Sequence, residues 1–322
     1  MRFLIILLLT AITAVSSFCQ QNTLLNRAAL YESNGILRSF QPGSAFPDYP
    51  RLKLPEQAKR TNLPPVADNS GQPYLRPVFR QAGASCGQAS TVGYNFCYEI
   101  NRLRQLPSDT SLNTYPDHFT YNFMNATEPY YGEGVSYFHT FDILYDAGNP
   151  TEAVYGPITL EDNYYWMSGY EKYYNAMKNR LGSVRSIHAG TPEGLDILKH
   201  WIHNHHEGSA IGGVASFYAG MNYIAHLPPA SPEAGKSVIT TWLPTASHAM
   251  TIVGYNDSIR FDRNGDNMFT NHLDINNDGI ADMKDWEIGG LKFVNSYGPD
   301  WENNGFCYML YSTLAADYGQ GG

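Results

Sequence analysis

Helical patterns occupy the first part of this chain, and strand-like runs occupy the second part. The longest helical pattern begins at Cys86 and places Val92, Phe96, Ile100 and Leu103 on one apolar stripe. Other helices are expected at about 136–147, 165–181 and 192–206, and strands at about 210–214, 248–255, 291–296 and 305–311. Because helices and strands are segregated along the chain, the sequence predicts an α+β fold with two lobes, one helical and one rich in β-structure.

The N-terminus has the layout of an export signal. The run Phe3–Val15 is apolar, follows a positive charge and is too short to span a bilayer, and small residues lead to a cut after Cys19. We therefore predict a signal peptide at 1–19 and a protein that is secreted or periplasmic. A lipid anchor on Cys19 is the weaker alternative, because the bulky Phe18 precedes it. No later segment of the sequence is long and apolar enough to span a membrane.

Composition restricts the partners and places the start of the folded domain. The 322 residues carry a formal net charge of −9, which argues against binding nucleic acid through its phosphates. Residues 20–61 mix prolines with basic residues and are predicted to form a leader or linker. A folded domain is expected at 62–322, beginning with an extended segment at 62–78 that carries four prolines. We expect it to be a monomer.

The cysteine count points to a reactive thiol. Four cysteines are too few for a disulfide scaffold, and three remain once 1–19 is removed. An odd number in an exported protein indicates an unpaired thiol. Cys86 is the candidate, because a helix N-terminus stabilises a thiolate and its N–H groups can hold an oxyanion. Gln81, just upstream, would supply a second oxyanion donor from its side-chain amide.

A histidine and an asparagine complete this chemistry. His248 stands at the head of one predicted strand, and Asn295 stands at the end of another. A histidine beside a thiol can take its proton, and an asparagine facing the ring can fix its tautomer through one hydrogen bond.

Five short motifs follow one another along the chain. They are LP with DNS at 63–70, PVFRQ at 77–81, SC with a serine four residues later at 85–90, HA with VGY at 248–255, and NSYGP with W and NGF at 295–306. Together they resemble the papain-like cysteine peptidases, of the bacterial exported type, over about 62–316. The chain order Cys, His, Asn is also that of the family. The resemblance implies a papain-like two-lobe fold.

The same resemblance assigns roles to residues. Cys86 would be the nucleophile, His248 the base that returns its proton to the leaving amine, and Asn295 the residue that orients His248. Gln81 and the backbone N–H of Cys86 would form the oxyanion hole. Tyr297 stands where the family has a tryptophan, which implies a smaller aromatic cover over the His–Asn pair.

Departures from the family pattern leave alternatives open. Gly87 replaces a tryptophan, and the spacing from Gln81 to Cys86 is one residue shorter than usual. A shifted register would place Cys86 on a structural cysteine of the family and Ala89 on the nucleophile, which gives a dead enzyme. We disfavour it because two serine matches would then be lost.

Two further points stay open. Cys97 and Cys307 either pair with each other or stay reduced. The family domain continues into a final segment that is absent here, so we expect either a truncated chain or the front part of a larger exported protein.

An acidic insertion at 257–289 lies between the histidine and asparagine motifs, which are 47 residues apart. Residues 274–285 fit a twelve-residue EF-hand-type loop, although position 12 is Asp rather than the longer Glu. The predicted oxygen ligands are Asp274, Asn276, Asp278, the carbonyl of Ile280, Asp282 and Asp285. A second, degenerate copy begins with Asp262, Asn264 and Asp266, lacks glycine at position 6 and has leucine at position 12. Residues 262–287 hold seven acidic and two basic residues, more than half of the net charge, and we predict structural Ca²⁺ there.

The most consistent interpretation is an exported cysteine peptidase that hydrolyses peptide bonds in protein or peptide substrates and is stabilised by Ca²⁺. The alternative is a papain-like fold without activity that serves as a calcium-dependent binding or adhesion module. Gly87 and the altered Gln81 spacing favour that alternative.

Overall fold

A computed structural model of the chain describes residues 49–56, 58, 62–124, 137–156, 166–220, 224–244 and 246–316. The predicted signal peptide at 1–19, with Cys19, and most of the predicted leader lie outside these residues. The chain divides into two compact units. In the described residues, the helical unit spans 81–184 and the sheet unit spans 49–80 and 185–316.

The helical unit consists of short helices around two apolar cores. Its described helices are α1 (Cys86–Gln88), α2 (Cys97–Arg104), α3 (Asp117–Met124), α4 (Tyr137–Asp146), α5 (Glu152–Tyr155) and α6 (Tyr170–Ala176), with a π-helical segment at Ala89–Phe96 between α1 and α2. One core joins α3 to α4 and includes Phe119 and Ile143. The other includes Val92, Phe96 and Ile100 from the long helical segment that starts at α1. Burial of these side chains is the main force that holds the unit together.

The long helix predicted after Cys86 is confirmed, but its apolar stripe is shorter than predicted. Val92, Phe96 and Ile100 are buried, whereas Leu103 is 74% exposed. Leu103 lies in the last turn of α2, and Gln105 then leaves the helix with a left-handed φ of 54°. The prediction for Leu103 was therefore wrong, because the chain turns away before the stripe reaches that residue.

Two other helices differ from the sequence prediction. No periodicity predicts α3, because all eight of its residues are buried and no polar face alternates with an apolar one. The helix predicted at 165–181 is confined to α6, since Gly169 precedes it with a φ of 103° that no helix continues through.

The sheet unit is organised around one long strand. Its described strands are β1 (Val66–Asp68), β2 (Ala215–Ala219), β3 (Ile224–His226), β4 (Ser237–Ile239), β5 (His248–Arg260), β6 (Ile288–Val294) and β7 (Phe306–Leu310). They form one sheet in the order β1-β5-β6-β7-β4-β3, and β2 also pairs with β5. The β4–β7 pair is parallel, and the pairs made by β5 are antiparallel. Ile252, Phe293 and Met309 lie in its main apolar core.

Helix α7 (Pro192–Asn204) packs on this core through Leu195, Leu198 and Ile202, and a short helix α8 (Tyr311–Ala315) follows β7. The predicted start of α7 is confirmed, because the Thr191 hydroxyl accepts a hydrogen bond from the N–H of Gly194 at 3.2 Å. Among the described residues, no helix combines the length and apolar character needed to cross a membrane.

The strand predicted at 210–214 is wrong by five residues, since β2 begins at Ala215. Residues 212 and 213 instead pack closely on the end of α7. A Cβ at Gly212 would lie 1.7 Å from the carbonyl oxygen of Ile202, and the N–H of Gly213 donates to the carbonyl of Trp201 at 2.8 Å. The two glycines therefore serve close backbone packing rather than strand pairing.

Candidate active site

The predicted nucleophile lies at the first residue of a helix. Cys86 begins α1, and the helical segment continues to Arg104 at the end of α2. The side chain of Cys86 is partly exposed, whereas Gly87, Gln88 and Ala89 behind it are buried. The position combines access to a substrate with the positive end of a helix, which favours a thiolate.

A tight turn precedes Cys86. Gly83 has a positive φ of 64°, a conformation that glycine adopts without cost and that tightens the turn. The side-chain Nε2 of Gln81 donates to the carbonyl of Gly83 at 2.9 Å. This bond holds the amide of Gln81 next to the turn that leads into Cys86.

The two registers that the sequence left open place different residues at the nucleophile position. Ala89 is 0% exposed and lies in the π-helical segment, one turn inside the helix. Cys86 is at the helix start and partly exposed. Of these two positions, Cys86 is the one that a substrate can reach.

His248 and Asn295, 47 residues apart in the sequence, are in direct contact in the sheet unit. His248 is the first residue of β5, and Asn295 directly follows β6, which pairs antiparallel with β5. This pairing brings the start of one strand next to the end of the other. The His248 Nε2 and the Asn295 Oδ1 lie 2.7 Å apart.

Asn295 is fixed by its surroundings. It is 0% exposed, its N–H donates to the carbonyl of Gly305 at 2.9 Å, and its Oδ1 also accepts from the N–H of Ser296 at 2.7 Å. Because Oδ1 is an acceptor in both contacts, the proton in the His248 contact lies on Nε2. The neutral ring then has Nδ1 as its acceptor nitrogen.

Tyr297 covers the imidazole. Its ring stacks on that of His248 with centroids 4.6 Å apart and planes 29° apart, and its hydroxyl lies 3.5 Å from Nδ1 of His248. Trp301 packs edge-to-face on Tyr297, at 6.1 Å between centroids. The aromatic cover expected at Tyr297 is therefore present.

The charge state of His248 follows from its burial. The residue is 5% exposed, and burial lowers its pKa from 6.5 to about 4, while the hydrogen bond to Asn295 offsets part of that shift. Without a negative partner the imidazole is neutral at pH 7. An adjacent thiolate would favour the imidazolium and raise the pKa again.

Comparisons with known proteins give a structural result and no sequence result. No protein-family model and no curated protein matches the chain. Among solved structures, xylellain, a cysteine protease from Xylella fastidiosa, matches with a TM-score of 0.56 and 15% identity over 87% of this chain and 91% of its own. The proform of the ragweed pollen allergen Amb a 11, a cysteine protease, matches with a TM-score of 0.49 and 14% identity over 82% of this chain and 66% of its own. Procathepsin B from Trypanosoma congolense matches with a TM-score of 0.47 and 15% identity over 84% and 79%.

The chain has a papain-like fold. The match to xylellain covers most of both chains. Because the sequence identity is low, the match supports the fold and not the activity. The α+β architecture predicted from the sequence is confirmed, with Cys86 in the helical unit and His248 and Asn295 in the sheet unit.

The remaining cysteines of this papain-like chain are structural. Cys86, Cys97 and Cys307, the cysteines of the described residues, form no disulfide. Cys97 and Cys307 are 0% exposed, and Cys307 Sγ donates to the carbonyl of Ser237 at 3.3 Å. Burial, with a contribution from the nearby Glu302, raises the pKa of Cys307 and keeps it a thiol. Of the three, only Cys86 is partly exposed.

Residues 274–285, which the sequence predicts to be an EF-hand-type loop, form a turn that is held by side-chain-to-backbone hydrogen bonds. Asp274 accepts hydrogen bonds from the N–H groups of Asp278 at 3.2 Å and Gly279 at 2.9 Å, and Asn276 accepts from Asp278 at 2.8 Å. Gly279, at position 6, has a φ of 91°. Asp285, at position 12, accepts from the N–H groups of Ile275, Asn276 and Asp282 at 2.9–3.0 Å. These bonds and Arg263 lower the pKa of Asp285 although burial opposes the shift.

The degenerate copy has the same turn despite its sequence. Asp262 accepts from the N–H groups of Gly265 at 2.6 Å and Asn267 at 2.9 Å, and Asp266 accepts from Met268 at 2.7 Å. Position 6 of this copy, which has no glycine, is Asn267, and it has a positive φ of 64°. Asparagine tolerates this conformation better than most residues, so the turn is retained.

Two carboxylates that no motif singled out also accept hydrogen bonds near the predicted sites, one in the insertion and one in the helical unit. Glu287, 0% exposed, accepts from the N–H of Arg263 at 2.7 Å and of Thr270 at 2.9 Å, and it closes the first loop as Asp285 closes the second. Asp117 accepts from the hydroxyl of Ser85, the residue before Cys86. The only sequence signals are an acid two residues after Asp285 and an acid at the start of a helix.

The two loops of the insertion present oxygen atoms that could act as metal ligands. In the described part of the chain, no three His, Cys, Asp or Glu side chains are grouped so as to hold a metal ion. The predicted ligand set also uses Asn264, Asn276 and the carbonyl of Ile280, which are oxygen donors of the kind that Ca²⁺ prefers. The chemistry of the donors fits Ca²⁺, but the carboxylates are engaged with backbone N–H groups.

Proposed function

We propose that the chain is an exported cysteine peptidase that hydrolyses peptide bonds. The observation that carries the proposal is the 2.7 Å contact between His248 Nε2 and Asn295 Oδ1 in a papain-like fold whose Cys86 begins a helix. Several features support the assignment of roles, namely the exposure of Cys86, the burial of the His–Asn pair and the stacking of Tyr297 on the ring.

The first step would be formation of an ion pair. Asn295 holds the proton of His248 on Nε2, so Nδ1 is the nitrogen that can take the thiol proton of Cys86. The resulting thiolate would stabilise the imidazolium, which burial alone disfavours. The mechanism therefore requires the thiol and the imidazole to react as a pair.

Acylation would follow. The Cys86 thiolate attacks the carbonyl carbon of the scissile bond, a C–S bond forms, and the carbonyl oxygen becomes an oxyanion. The backbone N–H of Cys86 and the side-chain amide of Gln81 would donate to that oxyanion. As the C–N bond breaks, His248 gives its proton to the leaving amine.

Deacylation would restore the enzyme. Water attacks the thioester while His248 takes one of its protons, and the second tetrahedral intermediate collapses with cleavage of the C–S bond. The acid product leaves, and Cys86 and His248 regain their starting protonation. No group other than water is consumed in the cycle.

A binding or adhesion module without activity is the competing proposal. It rests on Gly87, where the family has a tryptophan, and on the short spacing between Gln81 and Cys86. The hydrogen bond from the Gln81 amide to the carbonyl of Gly83, beside the turn into Cys86, supports the peptidase proposal over this alternative.

Peptide hydrolysis separates the two. The folded chain is incubated with a quenched-fluorescence peptide mixture or with casein under reducing conditions. A peptidase cleaves these substrates, and Cys86→Ser abolishes the cleavage. If no cleavage occurs with the wild-type chain, or if Cys86→Ser cleaves equally well, the peptidase proposal is wrong.

We also propose that the insertion binds Ca²⁺ as a structural ion. Support comes from the donor types at Asp274, Asn276, Asp278 and the Ile280 carbonyl, and from the glycine turn at Gly279. Because the insertion connects β5 to β6, an ion there would restrain the strands that carry His248 and Asn295. The ion would have no part in the chemistry.

Export is the remaining part of the proposal, with a monomeric chain in the periplasm or outside the cell. It rests on the apolar run Phe3–Val15 and the small residues that precede the cut after Cys19. Mass spectrometry of the exported protein tests it. An N-terminus at residue 20 is expected, and an acylated Cys19 would indicate a lipid anchor instead.

A further inference from the structure

A buried polar network adjoins the start of the nucleophile helix, within the helical unit. The hydroxyl of Ser85 donates to Oδ2 of Asp117 at 2.9 Å, and the other oxygen of Asp117 lies 3.0 Å from Nδ1 of His118. Ser85 and His118 are 0% exposed, and Asp117 is 5% exposed. The three residues therefore form one continuous network away from solvent.

The network reaches the backbone next to Cys86. Ser85 has φ −88° and ψ 18°, in the sparsely populated bridge region, and its side chain makes no capping bond to the helix. Its hydroxyl is also 3.0 Å from the carbonyl of Ala82. Ser85 thus ties the turn before Cys86 to Asp117, the first residue of α3, and α1 and α3 are in contact.

Burying the Asp117 carboxylate costs free energy, and a contact that only held α1 and α3 together would not require it. A buried carboxylate must be compensated by hydrogen bonds, and here it receives them from Ser85 and His118. In the described residues, Nε2 of His118 is buried and has no hydrogen-bond partner. A well-packed apolar group would stabilise a helix contact at lower cost. The cost is explained if the network has a task beyond stability.

We propose that Asp117 is a positioning residue for Cys86, which acts through Ser85, while His118 holds the Asp117 carboxylate in place. The inference rests on the peptidase function proposed above. The network fixes the backbone at the residue before the nucleophile, and hence the direction of the Cys86 thiol and N–H. Misplacement of a nucleophile by about 1 Å lowers a reaction rate by roughly 100-fold.

The test measures the rate constant for alkylation of Cys86 by iodoacetamide in the full folded chain, at a pH high enough that the rate no longer rises. Ser85→Ala and Asp117→Ala should each slow labelling about 10-fold or more, with one label per chain at completion. The double variant should be no slower than the slower single variant, because the two residues act as one unit.

Asp117→Asn is the conservative variant. An asparagine keeps an acceptor oxygen for Ser85, and its NH₂ can donate to Nδ1 of His118 once that ring changes tautomer. Labelling should recover to within about threefold of the wild-type rate. General destabilisation by changes at this site would not be reversed in this way.

Thr140→Val is the matched control. Gln88, two residues after Cys86, donates to the Thr140 hydroxyl at 2.9 Å, and both residues are 0% exposed. The control should lose stability, measured by urea unfolding, yet label Cys86 at the wild-type rate.

Three results would overturn the role. Wild-type rates in Ser85→Ala and Asp117→Ala exclude positioning by the network, and equal slowing in Thr140→Val shows that any buried bond to this helix matters. If the wild-type chain labels slowly at mildly acidic pH and at the same rate as His248→Ala, the peptidase proposal is wrong, and the positioning role is then wrong as well.

Discussion

The segment that carries Cys86 and the strands that carry His248 and Asn295 hold their groups by different means. Cys86 is partly exposed at a helix start, and the turn before it is held by the Gln81–Gly83 and Ser85–Asp117 hydrogen bonds. His248 and Asn295 are 5% and 0% exposed and are fixed by strand pairing inside the core of the sheet unit.

This difference in burial means that substitutions at the two places should affect peptide hydrolysis and the stability of the fold to different extents. Removing an exposed thiol at a helix start takes little away from the core, whereas a change at His248 removes a buried hydrogen bond and leaves space in the core. Changes at Cys86 should therefore affect mainly the reaction, and changes at His248 should affect both the reaction and the fold.

The largest predicted effect is the loss of peptide hydrolysis in Cys86→Ala and His248→Ala, two variants that should differ in stability. Both should lower kcat/KM for peptide hydrolysis by about 10⁶-fold, because nucleophile and base act as one unit. Urea unfolding should show a change within about 0.5 kcal/mol for Cys86→Ala. For His248→Ala we expect a loss of about 2 kcal/mol, since the buried Oδ1 of Asn295 loses a donor. Equal stability losses in the two variants would contradict the proposed difference between the exposed thiol and the buried His–Asn pair.

A pH dependence of stability tests the burial of His248. In Cys86→Ala no thiolate can favour the imidazolium, so the pKa of folded His248 should be about 4 against 6.5 when unfolded. Between these values the unfolded chain binds more protons, so the free energy of unfolding falls as the pH is lowered from 6.5 to 4. The loss is roughly 3 kcal/mol.

Urea unfolding of Cys86→Ala across that range measures the loss, with Cys86→Ala/His248→Gln as the control. The double variant should lack this part of the pH dependence. Parallel curves for the two proteins would show that His248 is not the group responsible.

Chelation of Ca²⁺ tests the sheet unit separately, because the insertion joins β5 to β6 there, whereas the nucleophile helix belongs to the helical unit. EGTA should lower the Tm and the peptidase activity, by about 2.7 kcal/mol of stability if the ion is present at about 100 times its Kd. Hydrogen exchange should rise in β5 and β6 and stay unchanged in α1 and α2. An Asp274→Ala/Asp278→Ala variant should no longer respond, and an unchanged Tm and activity in the wild type would exclude a structural ion.

The smallest predicted effect concerns the aromatic cover. Tyr297→Ala removes the ring stacked on His248 and should cost about 1 kcal/mol in activation free energy, or about fivefold in kcat. Tyr297→Phe keeps the ring and removes only the hydroxyl, so its kcat should stay within about twofold of wild type. A larger loss in Tyr297→Phe would assign the hydroxyl, 3.5 Å from Nδ1, a role in the chemistry.

Local sequence signals predicted those parts of the fold that follow local rules. The Thr191 cap and the start of β5 at His248 were found because a capping residue and an apolar strand leave a clear pattern. Helix α3 was missed because its complete burial removes the pattern. Strand β2 was misplaced because the apolar run at 210–214 resembles a strand, although its two glycines pack on the end of α7.

The site residues also divide into those that a sequence motif indicated and those that only the structure revealed. Motif order along the chain singled out Cys86, His248 and Asn295, and the antiparallel pairing of β5 with β6 supplies the His–Asn contact. Asp117 and Glu287 could not be predicted, because each acts on backbone or hydroxyl groups that lie at least 17 residues away in the sequence. Such contacts depend on tertiary packing and leave no local pattern.

The most direct test of the central claim is the pH profile of Cys86 alkylation in the folded chain, with the adduct located by mass spectrometry. A thiolate–imidazolium pair predicts rapid modification of Cys86 by iodoacetamide or an epoxide already at mildly acidic pH, and loss of that reactivity in His248→Ala. Slow labelling that rises only at alkaline pH, the same in wild type and His248→Ala, would contradict the account.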